Sequence, residues 1–257
     1  MSKPFHASGH APLLPQVTSV SLSRPLVWLG LGWRDFTASL GPSIAQGLIL
    51  VAVGWLILLL CSAQIDLFAA AISSFLLVGP IFGAGFYELS RLRAAGKVTT
   101  FDAALDGAVK NVRSLAALGV LLAILTIAWV LVSRWLFVGA LGGTMPTVHD
   151  TFYRTIVDWN YYPFLVTYLS TGAVFALIAF VVSAVSAPMI FDRAAATKTA
   201  VLTSVKAVAL NPAAMLFWAA IIAGLTAIGF ALLLFGLVIV LPLLGHATWH
   251  AYRDLVR

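Results

Sequence analysis

Between Pro212 and Tyr252 the chain carries no Asp, Glu, Lys or Arg. As a helix, at 1.5 Å per residue, that stretch is about 60 Å long, roughly twice the hydrocarbon thickness of a bilayer. A surface this apolar needs lipid, not water, as its solvent. In lipid every backbone polar group must be paired within the structure, so only helices or closed barrels can cross. Barrel strands alternate polar and apolar residues, whereas the runs here, Leu48 to Leu60 and Met215 to Leu244 among them, are continuous. Helices follow. The whole chain agrees, with 61% hydrophobic and only 9% charged residues, against about a quarter charged in a soluble domain.

Spans need about 20 mainly apolar residues. They are expected at about 43–63, 67–89, 115–137, 164–188, 212–231 and 234–253, the long stretch being split by a tight apolar turn near Gly229 or Gly236. Charge parity supports six. With six spans, thirteen of the fifteen Lys and Arg fall on one side: Lys3, Arg24, Arg34, Arg91, Arg93, Lys97, Lys110, Arg113, Arg193, Lys198, Lys206, Arg253 and Arg257. Only Arg134 and Arg154 fall on the other. Positive charge collects on the cytoplasmic side, so both termini are expected there. The fold class is therefore all-α: a polytopic membrane protein of six transmembrane helices in three hairpins, with interfacial amphipathic helices on the cytoplasmic side. Residues 1–23 read as a disordered cytoplasmic arm and 24–257 as one membrane domain. The first forty residues contain no apolar core of a cleavable signal peptide.

The connecting segments carry helical patterns of their own. Phe101, Leu105, Ala108, Val109 and Val112 share one face of a helix begun by Thr99 and Thr100, with Asp102, Asp106, Lys110 and Arg113 mainly opposite. Such a helix lies at the membrane interface. Residues 193–210 suggest a second, with Val201, Val205 and Val208 apolar and Lys198 and Lys206 polar. Leu26 to Phe36 suggest a third, with Trp28, Trp33 and Phe36 as interfacial anchors. This implies a repeat of interfacial helix, outgoing span and returning span over about 24–93, 100–193 and 197–257. Pro80, Gly83, Tyr87 and Arg91 have the spacing of Pro242, Gly245, Trp249 and Arg253; the middle unit fits poorly. Gly139 to Pro163, with His149, Asp150, Arg154 and Asp158, reads as the long external loop.

Several chemistries are excluded or left thin. The single cysteine, Cys61, permits no intrachain disulfide and no cysteine metal cluster. The net charge of +6 is spread along membrane-flanking segments, so no nucleic-acid partner is expected. No phosphate-binding loop, nucleophile elbow or zinc-protease motif is present. A charged residue at a span midplane would mark an ion path, and none is found. Glu88 lies within a turn of Arg91, as an i, i+3 pair, and Asp66 reads as a solvated residue of the outer turn.

The sharpest feature is His246-Ala-Thr-Trp-His250, two histidines on one helix face at a spacing suited to metal or haem ligation. A closed site needs further ligands. The blander alternative is a packing His246, facing the bundle near Glu88 or Tyr87, and an interfacial His250. No catalytic residue, metal or cofactor is expected. A possible functional or structural polar cluster comprises Arg34, Asp35, Glu88, Arg91, His246 and Arg253, with Arg34-Asp35 pairing with Glu88, Arg91 or Arg253.

Gly32-Trp33-Arg34-Asp35-Phe36, Gly79 to Glu88 (GPIFGAGFYE) and Leu241 to Arg253 (LPLLGHATWHAYR) resemble the bacterial membrane-protein family numbered 2189 among the domains of unknown function. The resemblance covers most of residues 17–256, and the last segment is the most specific. It implies a multi-pass inner-membrane protein of bacteria and supplies no activity. Some members carry a label linking them to cytochrome c oxidase subunit I; this chain lacks the several intramembrane histidines of a haem–copper centre.

The first expected partner is the lipid bilayer itself. The leading functional expectation is a non-enzymatic protein that packs with itself or other membrane proteins as an assembly or scaffold component. The alternative is a transporter or channel for a neutral or apolar solute. A haem- or metal-linked protein using His246 and His250 comes third.

Overall fold

The computed structural model describes residues 14–61, 65–109, 112–141, 160 and 162–257. The external-loop segment with His149, Asp150, Arg154 and Asp158 lies outside the described residues, as does Lys110. The protein is all-α. Its helices are α1 (Arg24–Ala38), α2 (Leu40–Cys61), α3 (Ile65–Phe82), α4 (Ala84–Ala94), α5 (Phe101–Val109), α6 (Val112–Leu141), α7 (Tyr162–Ser183), α8 (Ser186–Arg193), α9 (Thr197–Leu210), α10 (Pro212–Ala231) and α11 (Leu237–Leu255).

Five helical stretches among the described residues are long and apolar enough to cross a membrane: Leu40–Cys61, Asp66–Ala94, Val112–Ala140, Tyr162–Arg193 and Pro212–Ala231. Helix α11 has the length, but its second half, from His246 to Asp254, is too polar to join them. The connection before it is the tight apolar turn Leu232 to Gly236. Leu233 and Leu234 take positive φ of 52° and 68° there, a conformation uncommon for non-glycine residues.

The helices follow a threefold order: a short helix, an outgoing helix and a returning helix. The returning helix is interrupted each time. Gly83 separates α3 from α4, Ala184 and Val185 separate α7 from α8, and Pro242 lies within α11. Each short helix packs on the returning helix of the preceding unit, cyclically for α1 on α11, and on its sequence neighbours for α5 on α4 and α9 on α8. Each hairpin pair, α2–α3, α6–α7 and α10–α11, is also packed. Outgoing helices then close the seams between units, α2 against α11 and α6 against α3. The third seam, α10 against α7, has no packing comparable with the other two. On the charged side the returning helices converge, α4, α8 and α11 touching one another.

The short helices differ from their sequence reading in one respect. On α1, Trp28 and Phe36 are buried, with Gly32 and Asp35 between them, so this face is packed on α11. Of the three aromatic residues only Trp33 projects outward. On α9 the packed face is Ala200, Thr203, Ser204 and Ala207, while Leu202 and Val205 are exposed. Ser204 donates to the Val181 carbonyl and accepts from the Val185 N–H, which repairs the backbone break between α7 and α8. In lipid there is no advantage in hiding the larger apolar side chains; small and polar residues make the helix contacts.

Residues 17–20, which the sequence places in the arm, are tied to the end of α11 and to Asn211. Val17 pairs with Val256. Thr18 N–H donates to the Leu255 carbonyl at 2.9 Å, and its hydroxyl donates to that of Asp254 at 2.7 Å. Asn211 accepts from the Val20 N–H and donates to the Thr18 carbonyl. Residues before 14 lie outside the described part. At the opposite end, Asp66 is buried and not solvated: Arg134 of α6 donates to it at 2.6 Å, tying α3 to α6.

Candidate functional site

Two features stand out, the first of them where α1, α2, α4 and α11 meet. The first is a buried chain of polar groups. His246 is wholly buried, with Nε2 3.0 Å from the Ser43 hydroxyl of α2 and Nδ1 2.8 Å from that of Ser90 on α4. Asp35 of α1 stands beside these groups. Asp35 Oδ2 in turn lies 2.8 Å from His250 Nε2, and Oδ1 3.4 Å from Arg93. An ionised carboxylate only accepts, so His250 Nε2–H donates to Asp35. The donor in each His246 bond depends on the imidazole tautomer. Burial disfavours the Asp35 charge, but its polar neighbours, His250 first among them, outweigh it and hold the carboxyl below its ordinary 3.8.

The network takes in some of the sequence candidates and leaves others apart. Asp35 and His250 are joined, and His246 lies close to both. Arg34 is exposed, and its backbone carbonyl accepts from Arg93. Glu88 is buried and bound by Arg91, through two hydrogen bonds of 2.6 Å, so the i, i+3 pair forms as spaced. Arg253 reaches Asp192 at 3.2 Å. Asp192 also accepts from the Tyr252 hydroxyl, which accepts from Arg193. The expected pairings of Arg34-Asp35 with Glu88, Arg91 or Arg253 are replaced by Arg93 and His250. Neighbours of His246 are Ser43 and Ser90 with the Phe86 ring, not Glu88 or Tyr87. Sequence reasoning missed Ser43, Ser90 and Arg93, because small hydroxyls in apolar spans carry no signal of their own.

A ligand role for the histidines fits poorly. Both ring nitrogens of His246 are engaged, and no group of three His, Cys, Asp or Glu among the described residues could hold a metal. Ser43 is fully buried, so no substrate reaches its hydroxyl in this arrangement.

A second polar tie fixes α1. Asp254 accepts from Arg24 Nε at 2.7 Å and Nη2 at 2.9 Å, and from the buried Trp28 indole at 2.9 Å. Burial again opposes its charge, and these bonds hold its carboxyl below 3.8. Depressed carboxylates stabilise the fold above their unfolded value and lose that contribution as pH falls through the folded one. The melting temperature in detergent is therefore expected to be level from pH 7 to 5 and to fall below about pH 4. In the Asp35→Asn, Asp254→Asn variant this acid limb should flatten; an unchanged limb would show that other groups cause it.

The second feature is a chamber of about 800 Å³ at the open third seam. Its walls come from α3 and α4 (Phe75 to Tyr87), α7 (Ala173 to Ser183), α10 (Trp218 to Phe230) and α11 (Leu241 to Thr248). The three returning helices surround it, converging below it on the charged side. No Asp, Glu, Lys, Arg or His lines it. Ala176 of α7 and Ala219, Ala220, Ala223 and Ala227 of α10 widen it.

An all-α bundle with these apolar helices and its polar groups drawn to the helix ends is built for a bilayer, and the comparison with known families decides which kind. Residues 67–192 match the family described as predicted integral membrane protein (DUF2189). This is the family that the sequence resembles, and the chain is a polytopic integral membrane protein. The match runs from α3 to α8, about half the chain. It includes the Gly79 to Glu88 segment and leaves the Gly32 and Leu241 segments outside. No curated protein and no solved structure matches the chain.

Proposed function

We propose that this membrane protein takes an apolar, lipid-like molecule into the chamber between α7 and α10, without catalysing a reaction. The observation that supports this is the seam itself. Two of three equivalent seams are closed by helix packing, and the third is opened into about 800 Å³ of apolar space. That volume lies within the range of small-molecule pockets, about 300–1,000 Å³. In a bilayer, the occupant entering between two apolar helices is drawn from the hydrocarbon phase. Of the functions expected from sequence, this favours the handling of a neutral or apolar solute over a purely structural partner role.

Filling the chamber tests the reading. Ala176→Phe with Ala223→Phe is expected to remove a co-purifying lipid-like molecule, present at about one per native chain, from protein extracted in mild detergent and quantified by mass spectrometry. A folded variant that retains the same molecule would refute it. Recovery of a stoichiometric protein partner lost on the same substitutions would return the leading place to the scaffold role.

The reading also carries a topology. Helix α11 is the sixth span, and both ends of the described chain lie on the cytoplasmic side of a bacterial inner membrane, supported by the distribution of Lys and Arg. Reporter fusions after Lys97, Lys198 and Arg257 should register cytoplasm, and one at His149 periplasm. A periplasmic signal at Arg257 would reduce the count to five.

A further inference from the structure

We infer that the ligand of this chamber is an uncharged amphiphile whose compact head presents hydrogen-bond acceptors, carbonyl or ester oxygens, to Thr226 of α10 and Thr248 of α11. The inference rests on the chamber being a binding site and adds the chemistry of its occupant.

Many hydroxyls within helices of this protein turn back on the carbonyl one turn earlier, although the buried Thr126 hydroxyl has no partner among the described residues. Ser73, Ser74, Thr167, Thr171, Ser183, Ser186 and Thr203 all turn back, at 2.6 to 2.8 Å. That bond satisfies the donor without help from a neighbour. On the chamber wall the habit divides. Ser183 keeps its bond to Ala179, and Tyr87 donates to the Pro80 carbonyl at 3.3 Å. Thr226 and Thr248 make no hydrogen bond to any described residue, although Thr226 is only 8% exposed. Neither hydroxyl meets another polar group of the described chain, and both residues border the cavity. In an apolar setting an unmade hydrogen bond is costly, so an occupant that supplies an acceptor is favoured over bare hydrocarbon.

The same wall argues against charge. An ion in hydrocarbon requires an opposite charge or a dense set of hydrogen bonds. The chamber supplies neither. Along α4 and α11 the next basic groups are Arg91 and Arg253, about a turn beyond Tyr87 and Thr248 towards the charged side. Arg91 is already bound to Glu88, and Arg253 to Asp192. A phosphate or carboxylate head would have to break those pairs. An uncharged head needs only the two threonine donors.

The experiment uses the full chain in phosphatidylcholine vesicles with two photoreactive probes, a diacylglycerol and a phosphatidic acid of the same chains. Labelled peptides are mapped by mass spectrometry. The diacylglycerol is expected to label residues 173–184 and 218–230. The Thr226→Val, Thr248→Val variant, which keeps side-chain volume, should lower that labelling about tenfold, as expected for the loss of two modest hydrogen bonds. The phosphatidic acid should leave these segments unlabelled. Equal labelling by both probes, or labelling unmoved by the valines, overturns the uncharged, acceptor-bearing head while leaving the chamber a binding site. Failure of both probes to reach these segments, with native melting behaviour retained, overturns the binding reading as well.

Discussion

Replacing His246 by leucine is expected to destabilise the protein by about 3 kcal/mol, the largest effect of any single side chain in the polar network. Two hydrogen bonds are lost at about 1 kcal/mol each, and the Ser43 hydroxyl is left without its partner in a dry interior. His246 ties α2 and α4 to α11 at once, so the loss is shared by three helices. Unfolding in detergent, followed by thermal or denaturant titration, gives the number. A cycle isolates the mechanism: Ser43→Ala should cost measurably in the native protein and almost nothing once His246 is leucine. Equal costs in both backgrounds would mean that the two side chains act independently, and the hydrogen bond between them is then not what holds α2.

The second large effect needs only one methyl group. A Cβ built at Gly32 would stand 2.7 Å from the Ala247 Cβ and backbone nitrogen and 2.8 Å from its Cα. Backbone cannot yield as a side-chain end does. Gly32→Ala should therefore force α1 away from α11, at about 3 kcal/mol, the upper part of the usual range for overpacking. Gly30, two residues earlier, has nothing within 4 Å of such a methyl and is exposed. Gly30→Ala should stabilise α1 by about 0.5–1 kcal/mol through helix propensity. Opposite shifts in melting temperature from the same substitution two residues apart are the expected result. Like-signed shifts would show that the α1–α11 contact is not as close as these atoms place it.

The architecture was legible wherever it depends on local pattern. The span 212–231 has the bounds read from sequence, and the repeat was visible in Pro80, Gly83, Tyr87 and Arg91 against Pro242, Gly245, Trp249 and Arg253. The middle unit looked defective because its break lies at Ala184 and Val185, where no proline marks it and Ser204 of another helix repairs the backbone. Which side of a short helix packs was less legible. The pattern of Val201, Val205 and Val208 marks an apolar side of α9, but the side that packs on the bundle is the one with Ala200 and Ala207. Trp28 looked like an interfacial anchor because its partner, Asp254, is 226 positions away.

The polar chain was half legible. His246 and Asp35 stood out as polar residues in apolar surroundings. Ser43 and Ser90, which complete it, resemble any hydroxyl in a span. The chamber was not legible, since a helix contact that fails to form leaves no residue to mark it. Its nearest trace is the run of alanines on α10 and α7. Elsewhere in membrane proteins small residues signal close approach of two helices; here they line a gap.

The position of α11 bears on how the protein is made. It is the element that α1, α2, α4, α8 and α10 all pack against, yet it is translated after every one of them. At about 5–20 residues per second, α1 emerges from the ribosome roughly ten to forty seconds before residues 237–255 exist. Throughout that interval Trp28, Gly32 and Ser43 lack their partners on α11, Asp254, Ala247 and His246. Assembly must therefore be committed late, by insertion of α11 into a ring of waiting helices, and whatever shields those residues in the nascent chain has to give way to α11 itself.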